Sequence, residues 1–161
     1  MPYIQRDTAG QVIGRFANPQ PGYAEEWLAD DALELQPPLV DLATELGKKI
    51  DDRAATIYSR WTRFEAEYRA REAAAQTFKD AGYQGEPGLY VSSFAVPAGL
   101  TKRAAADAIL AQAAALRAAQ DALAALRMRK YEVARAVNAE SAQALADEII
   151  AAMDEIMRRI G

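Results

Sequence analysis

The sequence predicts a mainly α protein, in which an N-terminal β-hairpin arm precedes a long-helix hairpin or a small helical bundle of coiled-coil character. Two observations support this fold class. Ala, which has the highest helix propensity, is the most abundant residue type in the second half of the chain. Apolar residues beyond residue 39 recur at spacings of three and four, as in helices that bury one face. We therefore divide the chain into a hairpin with a proline-rich linker, residues 1–38, and a helical domain, residues 39–161.

Two short segments rich in β-forming residues open the chain, residues 2–6 and 11–16. Asp7 and Gly10 lie between them. Asp at the start of a turn, with Gly where φ must be positive, is typical of a tight hairpin. A lone two-stranded hairpin is marginally stable in water, so we expect it to pack on the helical body or on a partner.

The segment of residues 17–38 is rich in proline. Proline lacks an amide N–H and clashes inside a helix, so it rules out a continuous helix or a central strand here. We therefore predict a mostly extended linker that carries two large aromatic side chains, Tyr23 and Trp27.

An apolar stripe runs from about residue 39 to residue 81. Its members are Ala43, Leu46, Ile50, Ala54, Ile57, Trp61, Phe64 and Tyr68. Their spacing predicts one long amphipathic helix with its three aromatic residues packed in the core. Gly82 follows at the position of a helix C-cap.

Residues 89–100 are apolar, β-branched and aromatic, and three interpretations remain open: a short strand, a packed loop or a crossover. Thr101 is a candidate N-cap for a further helix. Neither proline nor glycine interrupts residues 102–160, which form either one helix or two antiparallel helices. We favour two, with a turn near residues 127–140 and Asn138 as the cap of the last helix.

The chain contains neither cysteine nor histidine. Disulfides, zinc sites built on those ligands, Cys nucleophiles and His-dependent triads are therefore excluded. A magnesium site on two helices would need inward-facing Glu-x-x-Glu pairs, which the helical segments lack. The acidic residues considered for it are Glu140, Asp147, Glu148, Asp154 and Glu155. We expect these carboxylates on a solvated helix surface, and we expect no catalytic activity, metal or cofactor.

The net charge of −4 and the pI near 5.0 argue against nucleic acid as the main partner. The N-terminus lacks the pattern of a signal peptide, and no apolar stretch approaches the roughly 20 residues of a membrane span. We expect a soluble protein of the bacterial cytoplasm that does not bind membranes. Small Ala side chains let helices approach closely, so self-association through the Ala-rich helices is a further hypothesis.

Large aromatic side chains outside regular helices either hold their own segment on the body or bind a partner. The sequence leaves both readings open for the aromatic residues of the linker and of residues 89–100. The candidate partner-binding residues are Tyr3, Ile4, Ile13, Phe16, Tyr23, Trp27, Tyr90 and Phe94.

Three stretches near the start of the chain resemble the start of phage tail-fibre assembly proteins, including those encoded beside fibre genes in prophages and in contractile-tail bacteriocins (pyocins). They are Tyr3-Ile4-Gln5-Arg6-Asp7, Gly10-Gln11-Val12-Ile13-Gly14 and Asn18-Pro19-Gln20-Pro21-Gly22-Tyr23-Ala24-Glu25-Glu26. The resemblance implies a chaperone that binds the tail-fibre protein and assists its folding or trimer assembly. Two alternatives remain: a structural coiled-coil component of the tail or fibre, and a small phage-encoded inhibitor of a host protein.

Overall fold

The structure is a computed structural model that describes residues 1–35 and 38–160. The predicted linker and the predicted helical domain therefore each include residues outside this description, at 36, 37 and 161. The predicted mainly α fold is confirmed. The described elements are β1 (Tyr3–Arg6), β2 (Val12–Phe16), β3 (Glu26–Trp27), a 3-10 helix (Leu33–Leu35), α1 (Leu39–Trp61), α2 (Glu65–Asp80), α3 (Leu89–Ala98), α4 (Lys102–Met128), α5 (Lys130–Val133) and α6 (Ala139–Ile160).

Contacts between residues divide the chain into two compact units, which we call the sheet unit and the helical unit. The sheet unit is Met1–Leu42, and the helical unit is Ala43–Gly161. The boundary falls within the first turn and a half of α1. Each unit has its own buried residues, and each is described separately below.

The sheet unit contains the predicted hairpin. Asp7 accepts hydrogen bonds at Oδ1 from the amides of Ala9 and Gln11, both at 2.9 Å. Gly10 has a φ of +81°, and its amide donates to the Asp7 carbonyl. The Asp side chain thus organises the turn, and the glycine supplies the left-handed conformation that other residues rarely adopt.

The prediction of a mostly extended linker over residues 17–38 is wrong in part. The sheet has three strands in the order β2-β1-β3, because Glu26–Trp27 pairs antiparallel with β1 on the side opposite β2. The third strand was not predicted, because its two residues are too few to form a run of β-forming residues. The third strand gives the marginal hairpin a partner within its own unit.

The predicted single helix over residues 39–81 is wrong, because the chain breaks at residues 62–64 into α1 and α2. At the break the Thr62 hydroxyl donates to the Tyr58 carbonyl at 2.9 Å. Phe64 has left the helical conformation, with φ −122° and ψ 32°. Glu65 and Glu67 then begin α2, where negative charge is favourable at the positive end of the helix dipole.

The break also corrects the predicted aromatic core. Trp61 is 6% exposed, whereas Phe64 and Tyr68 are 52% and 40% exposed. A continuous stripe would have buried all three on one face. With the helix broken at residues 62–64, Trp61 is the buried one of the three.

Residues 89–98 form a helix, so the strand, the loop and the crossover expected for this segment are all wrong. Val91 and Ala95, four positions apart, bury one side of α3 against Phe78 of α2 and Ile109 of α4. Burial of this apolar side against two other helices outweighs the strand propensity of the segment. Gly99, with a φ of +65°, ends α3 in the left-handed conformation.

The last part of the chain follows the prediction of two antiparallel helices. Thr101 caps α4 by accepting the Ala104 amide at 3.1 Å, and Asn138 accepts the Ser141 amide at 2.8 Å at the start of α6. The connection at residues 129–138 contains the short helix α5. The C-cap of α2 is Ala81, and Gly82, predicted for that role, follows it with a φ of +65°, as is typical of the residue just beyond a helix cap.

Packing within the helical unit is dominated by aliphatic side chains and alanines. The residues with almost no exposed surface include Leu46, Ile50, Ile57, Leu123, Ile149 and Met153. Polar contacts tie α1 to its neighbours. Tyr58 donates to the Gln120 carbonyl on α4 at 3.1 Å, and Arg53 pairs with Asp154 on α6 at 2.5 Å.

Candidate partner-binding surface

Four of the aromatic candidates meet on one face of the sheet. Tyr3 in the central strand lies opposite Phe16 of β2 on one side and opposite Trp27 of β3 on the other. Residues directly opposite each other in antiparallel strands project from the same face. The Tyr23 and Phe16 rings pack edge to face, with their centroids 5.6 Å apart. We call these four residues the aromatic row.

Much of the aromatic row is exposed. Trp27 is 54% exposed and Tyr23 is 52% exposed, while Tyr3 and Phe16 are half-buried. Large aromatic side chains stabilise a fold mainly when they are buried. The aromatic row therefore contributes less to stability than its size would allow, and it offers a large apolar area to a partner.

A glycine shapes the middle of the aromatic row. A Cβ atom on Gly14 would lie 3.0 Å from a ring carbon of Phe16 and 3.1 Å from the side-chain oxygen of Gln5. The Phe16 ring therefore lies over the glycine backbone, in space that a side chain would fill. In this position the ring also makes the edge-to-face contact with Tyr23.

The opposite face of the sheet contacts the 3-10 helix of the same unit. Ile4 lies opposite Arg15 and Glu26, so these three residues project from this face. Ile4 is buried, whereas Arg15 and Glu26 are exposed. Arg15 donates to the carbonyl of Leu35, and Leu35 is buried. The two faces of the sheet thus differ, since this face carries charged residues beside a buried isoleucine and the other carries the aromatic row.

An ion-pair cluster fixes β3 against the central strand. Arg6 pairs with Glu26 at 2.8 Å and with Glu34 at 2.6 Å. The hydrogen bond from Arg6 lowers the pKa of Glu26, and the bonds to both carboxylates raise the pKa of Arg6. Because Glu26 precedes Trp27 in β3, the cluster positions the end of the aromatic row.

The two isoleucine candidates lie apart from the aromatic row. Ile4 is 2% exposed and lies on the opposite face of the sheet, so a partner would not reach it in this conformation. Ile13 has no residue opposite it on β1, because the register shifts between Gln5 and Arg6, and it is 60% exposed. An unpaired residue of this kind is a β-bulge, which bends and twists the strand.

The remaining two candidates belong to the helical unit, on α3. Tyr90 is 37% exposed, whereas Phe94 is half-buried and packs on the cluster formed by α2, α3 and α4. Two further apolar side chains of α3, Leu89 and Val96, are strongly exposed. Neither residue was among the candidates, because no helix was predicted for this segment. The sequence did contain a signal, since the segment is apolar at almost every position. A short surface helix of that composition cannot bury all its apolar side chains.

The edge of the sheet beyond β2 is a second feature of this surface. Among the described residues, β2 pairs with β1 on one side and with no strand on the other. An open strand edge presents unpaired N–H and C=O groups that another chain can bind by adding a strand. The Ile13 bulge interrupts the regularity of this edge.

Three of the five carboxylates considered as metal ligands pair with separate arginines. Glu148 pairs with Arg129, Asp154 with Arg53, and Glu155 with Arg159. No group of three or more acidic residues in the described ranges is arranged to hold a metal ion. Over the same ranges, every helix is too short or too polar to cross a bilayer.

The chain is similar in sequence to a phage protein. It is 46% identical over 114 residues to the "uncharacterized 23.3 kDa protein in lys 3'region" of Haemophilus phage HP1 (strain HP1c1). The aligned part covers 70% of this chain and 57% of the length of that relative. No protein-family model and no solved structure matches the chain. The similarity supports a phage origin.

Proposed function

We propose that this protein is a phage tail-fibre assembly chaperone, which binds the fibre protein and assists its folding or trimer assembly. The observation that carries the proposal is the aromatic row, because it places Trp27 and Tyr23 on an exposed sheet face. The similarity to a phage protein supports the phage setting. The fibre as partner comes from the resemblance of roughly the first 30 residues to tail-fibre assembly proteins.

The proposed mechanism is temporary cover for surfaces that a finished fibre buries. Fibre subunits that have not yet assembled expose strand edges and apolar patches. Both kinds of surface cause incorrect association and aggregation at high concentration. The aromatic row supplies rigid apolar area for such patches, and the open edge of β2 supplies backbone groups for a strand. Tyr90 on α3 is a separate contact on the helical unit. No catalytic step is part of this mechanism.

The test is co-expression with the fibre protein encoded beside this gene, with soluble trimeric fibre as the readout. Wild-type protein is expected to raise the yield of soluble trimer and to co-purify with the fibre before maturation. The double variant Tyr23→Ser/Trp27→Ser is expected to lose both effects. Its far-UV circular dichroism should stay unchanged, since both side chains are more than half exposed. Val137→Ser is the matched control, because it removes a side chain that is 87% exposed in the helical unit.

Three outcomes would contradict the proposal. Fibre that assembles equally well without this protein would remove the need for a chaperone. Equal activity of the double variant and wild type would show that the aromatic row is not the binding surface. Recovery of the chain in purified mature particles would favour the structural alternative, because a chaperone leaves.

A further inference from the structure

The helical unit contains a cleft that is not part of the proposed fibre-binding surface. Its volume is about 570 Å³, and it is lined by the end of α1, the first half of α2, the middle of α4 and the end of α6. The break at residues 62–64 separates two of these walls, Trp61 and Tyr68. A volume of this size suits a few side chains of a bound segment.

The cleft has an apolar floor. Trp61 and Ile109 line it and are almost completely buried, at 6% and 3% exposed, and Leu116 is half-buried beside them. Tyr68 contributes a ring that is 40% exposed. An apolar side chain entering the cleft would gain contact with these residues and lose contact with water.

Arginines from three different helices line the same cleft: Arg60 of α1, Arg71 of α2 and Arg159 of α6. None of its lining residues in the described part of the chain is acidic. Arg60 makes no ion pair with any described residue, whereas Arg71 pairs with Glu67 and Arg159 pairs with Glu155. The cleft is therefore locally cationic in a chain of net charge −4.

We propose that this cleft binds an acidic segment of a partner polypeptide, in which carboxylates alternate with apolar side chains. The carboxylates pair with the guanidinium groups of Arg60, Arg71 and Arg159, and Arg is the cation that best matches carboxylate geometry. The apolar side chains rest on Trp61 and Ile109. An inorganic anion would use the arginines and leave the apolar floor uncovered.

The test uses Trp61 as a fluorescent reporter in the full chain. The sequence contains two tryptophans, so Trp27→Phe leaves Trp61 as the sole one. The probe is a blocked hexapeptide of alternating glutamate and leucine. We expect a saturable shift of the Trp61 emission, and we expect added salt to weaken it. The double substitution Arg60→Gln/Arg159→Gln should raise the dissociation constant at least about tenfold, since charge-assisted hydrogen bonds are lost.

Matched controls separate this site from a general attraction between charges. Arg117→Gln removes an arginine of α4 that is exposed and does not line the cleft, and it should leave the affinity unchanged. Equal binding of a hexapeptide with glutamine in place of glutamate would overturn the proposal. The same emission shift with inorganic phosphate alone would also overturn it, because the site would then be a simple anion site. Absence of any shift of the Trp61 emission with the glutamate peptide would also overturn the proposal. None of these arms involves the fibre, so the result is independent of the proposed chaperone function.

Discussion

The sheet unit and the helical unit differ in how much apolar surface they bury. The helical unit has a core of fully buried aliphatic residues and alanines, together with some exposed apolar side chains. In the described part of the sheet unit the buried residues are Ile4, Ala24 and Leu35, whereas Trp27 and Tyr23 remain more than half exposed. Since apolar burial is the main stabilising term in folding, the large core makes the helical unit the main source of stability. The sheet unit gains less, because its largest side chains stay in contact with water.

The largest expected effect comes from truncating one isoleucine in each unit. Ile57 of α1 has no exposed surface, and Ile13 of β2 is 60% exposed. Ile57→Ala should lower the free energy of unfolding by about 2–5 kcal/mol, because it removes buried surface and leaves a cavity. Ile13→Ala should change it by less than about 0.5 kcal/mol. Urea unfolding followed by circular dichroism measures both. Similar losses of unfolding free energy in the two variants would contradict the difference between the two units.

A smaller effect is expected at the ion-pair cluster that joins α1 to the connection before α6. Asp51 accepts from Arg127 at 2.7 Å and from Lys130 at 2.6 Å. The hydrogen bond from Lys130, followed by that from Arg127, lowers the pKa of Asp51. Asp51→Asn should therefore destabilise the protein at pH 7, by about 1 kcal/mol because the cluster is partly exposed.

The sign of the pH dependence follows from the lowered pKa of Asp51. Its contribution is fully present above the pKa of the unfolded chain, about 3.9, and is lost as the pH falls through the lower folded value. Wild type and Asp51→Asn should thus differ at pH 7 and converge in strong acid. Asp121→Asn is the control, since that exposed carboxylate of α4 makes no ion pair with a described residue. A difference that persists unchanged into acid would contradict the assignment.

The sequence was most informative where a local rule acts alone. The Asp7 to Gly10 turn and the caps at Thr101 and Asn138 each depend on a few neighbouring residues, and each was predicted correctly. The helix of residues 89–98 was missed because its conformation depends on burial of Val91 and Ala95 against two other helices. That packing is not local in sequence.

The sequence predicted which residues belong to the candidate surface, but it did not predict how they are arranged in space. Tyr3, Phe16 and Trp27 were all candidates, but their alignment depends on the pairing of β3 with β1, and β3 has only two residues. The buried position of Ile4 depends on the same pairing, since it sets which face Ile4 shares with Glu26. A helix break at residues 62–64 was also needed before Trp61 and Tyr68 could become the walls of a cleft.

The smallest expected effect sharpens the comparison through two glycines, Gly14 in the sheet unit and Gly47 in α1. A Cβ on Gly47 would meet nothing within 4 Å, so Gly47→Ala should stabilise the protein by about 0.5–1 kcal/mol. A Cβ on Gly14 would come within 3.0 Å of the Phe16 ring. In Gly14→Ala, displacement of the ring should offset the entropic gain, and unfolding by urea should show less stabilisation than in Gly47→Ala.

Proton NMR tests the cause of that difference directly. In wild type the Phe16 ring should shift an α-proton of Gly14 upfield, and Phe16→Leu should abolish the shift without unfolding the protein. In Gly14→Ala the displaced ring should also lose its edge contact with Tyr23, now 5.6 Å between centroids, and the Tyr23 ring signals should move. The contrary result is that Gly14→Ala stabilises as much as Gly47→Ala and leaves the Tyr23 signals in place. That result would show that the position of the Phe16 ring does not depend on Gly14. The arrangement of the aromatic row would then be determined by strand pairing alone.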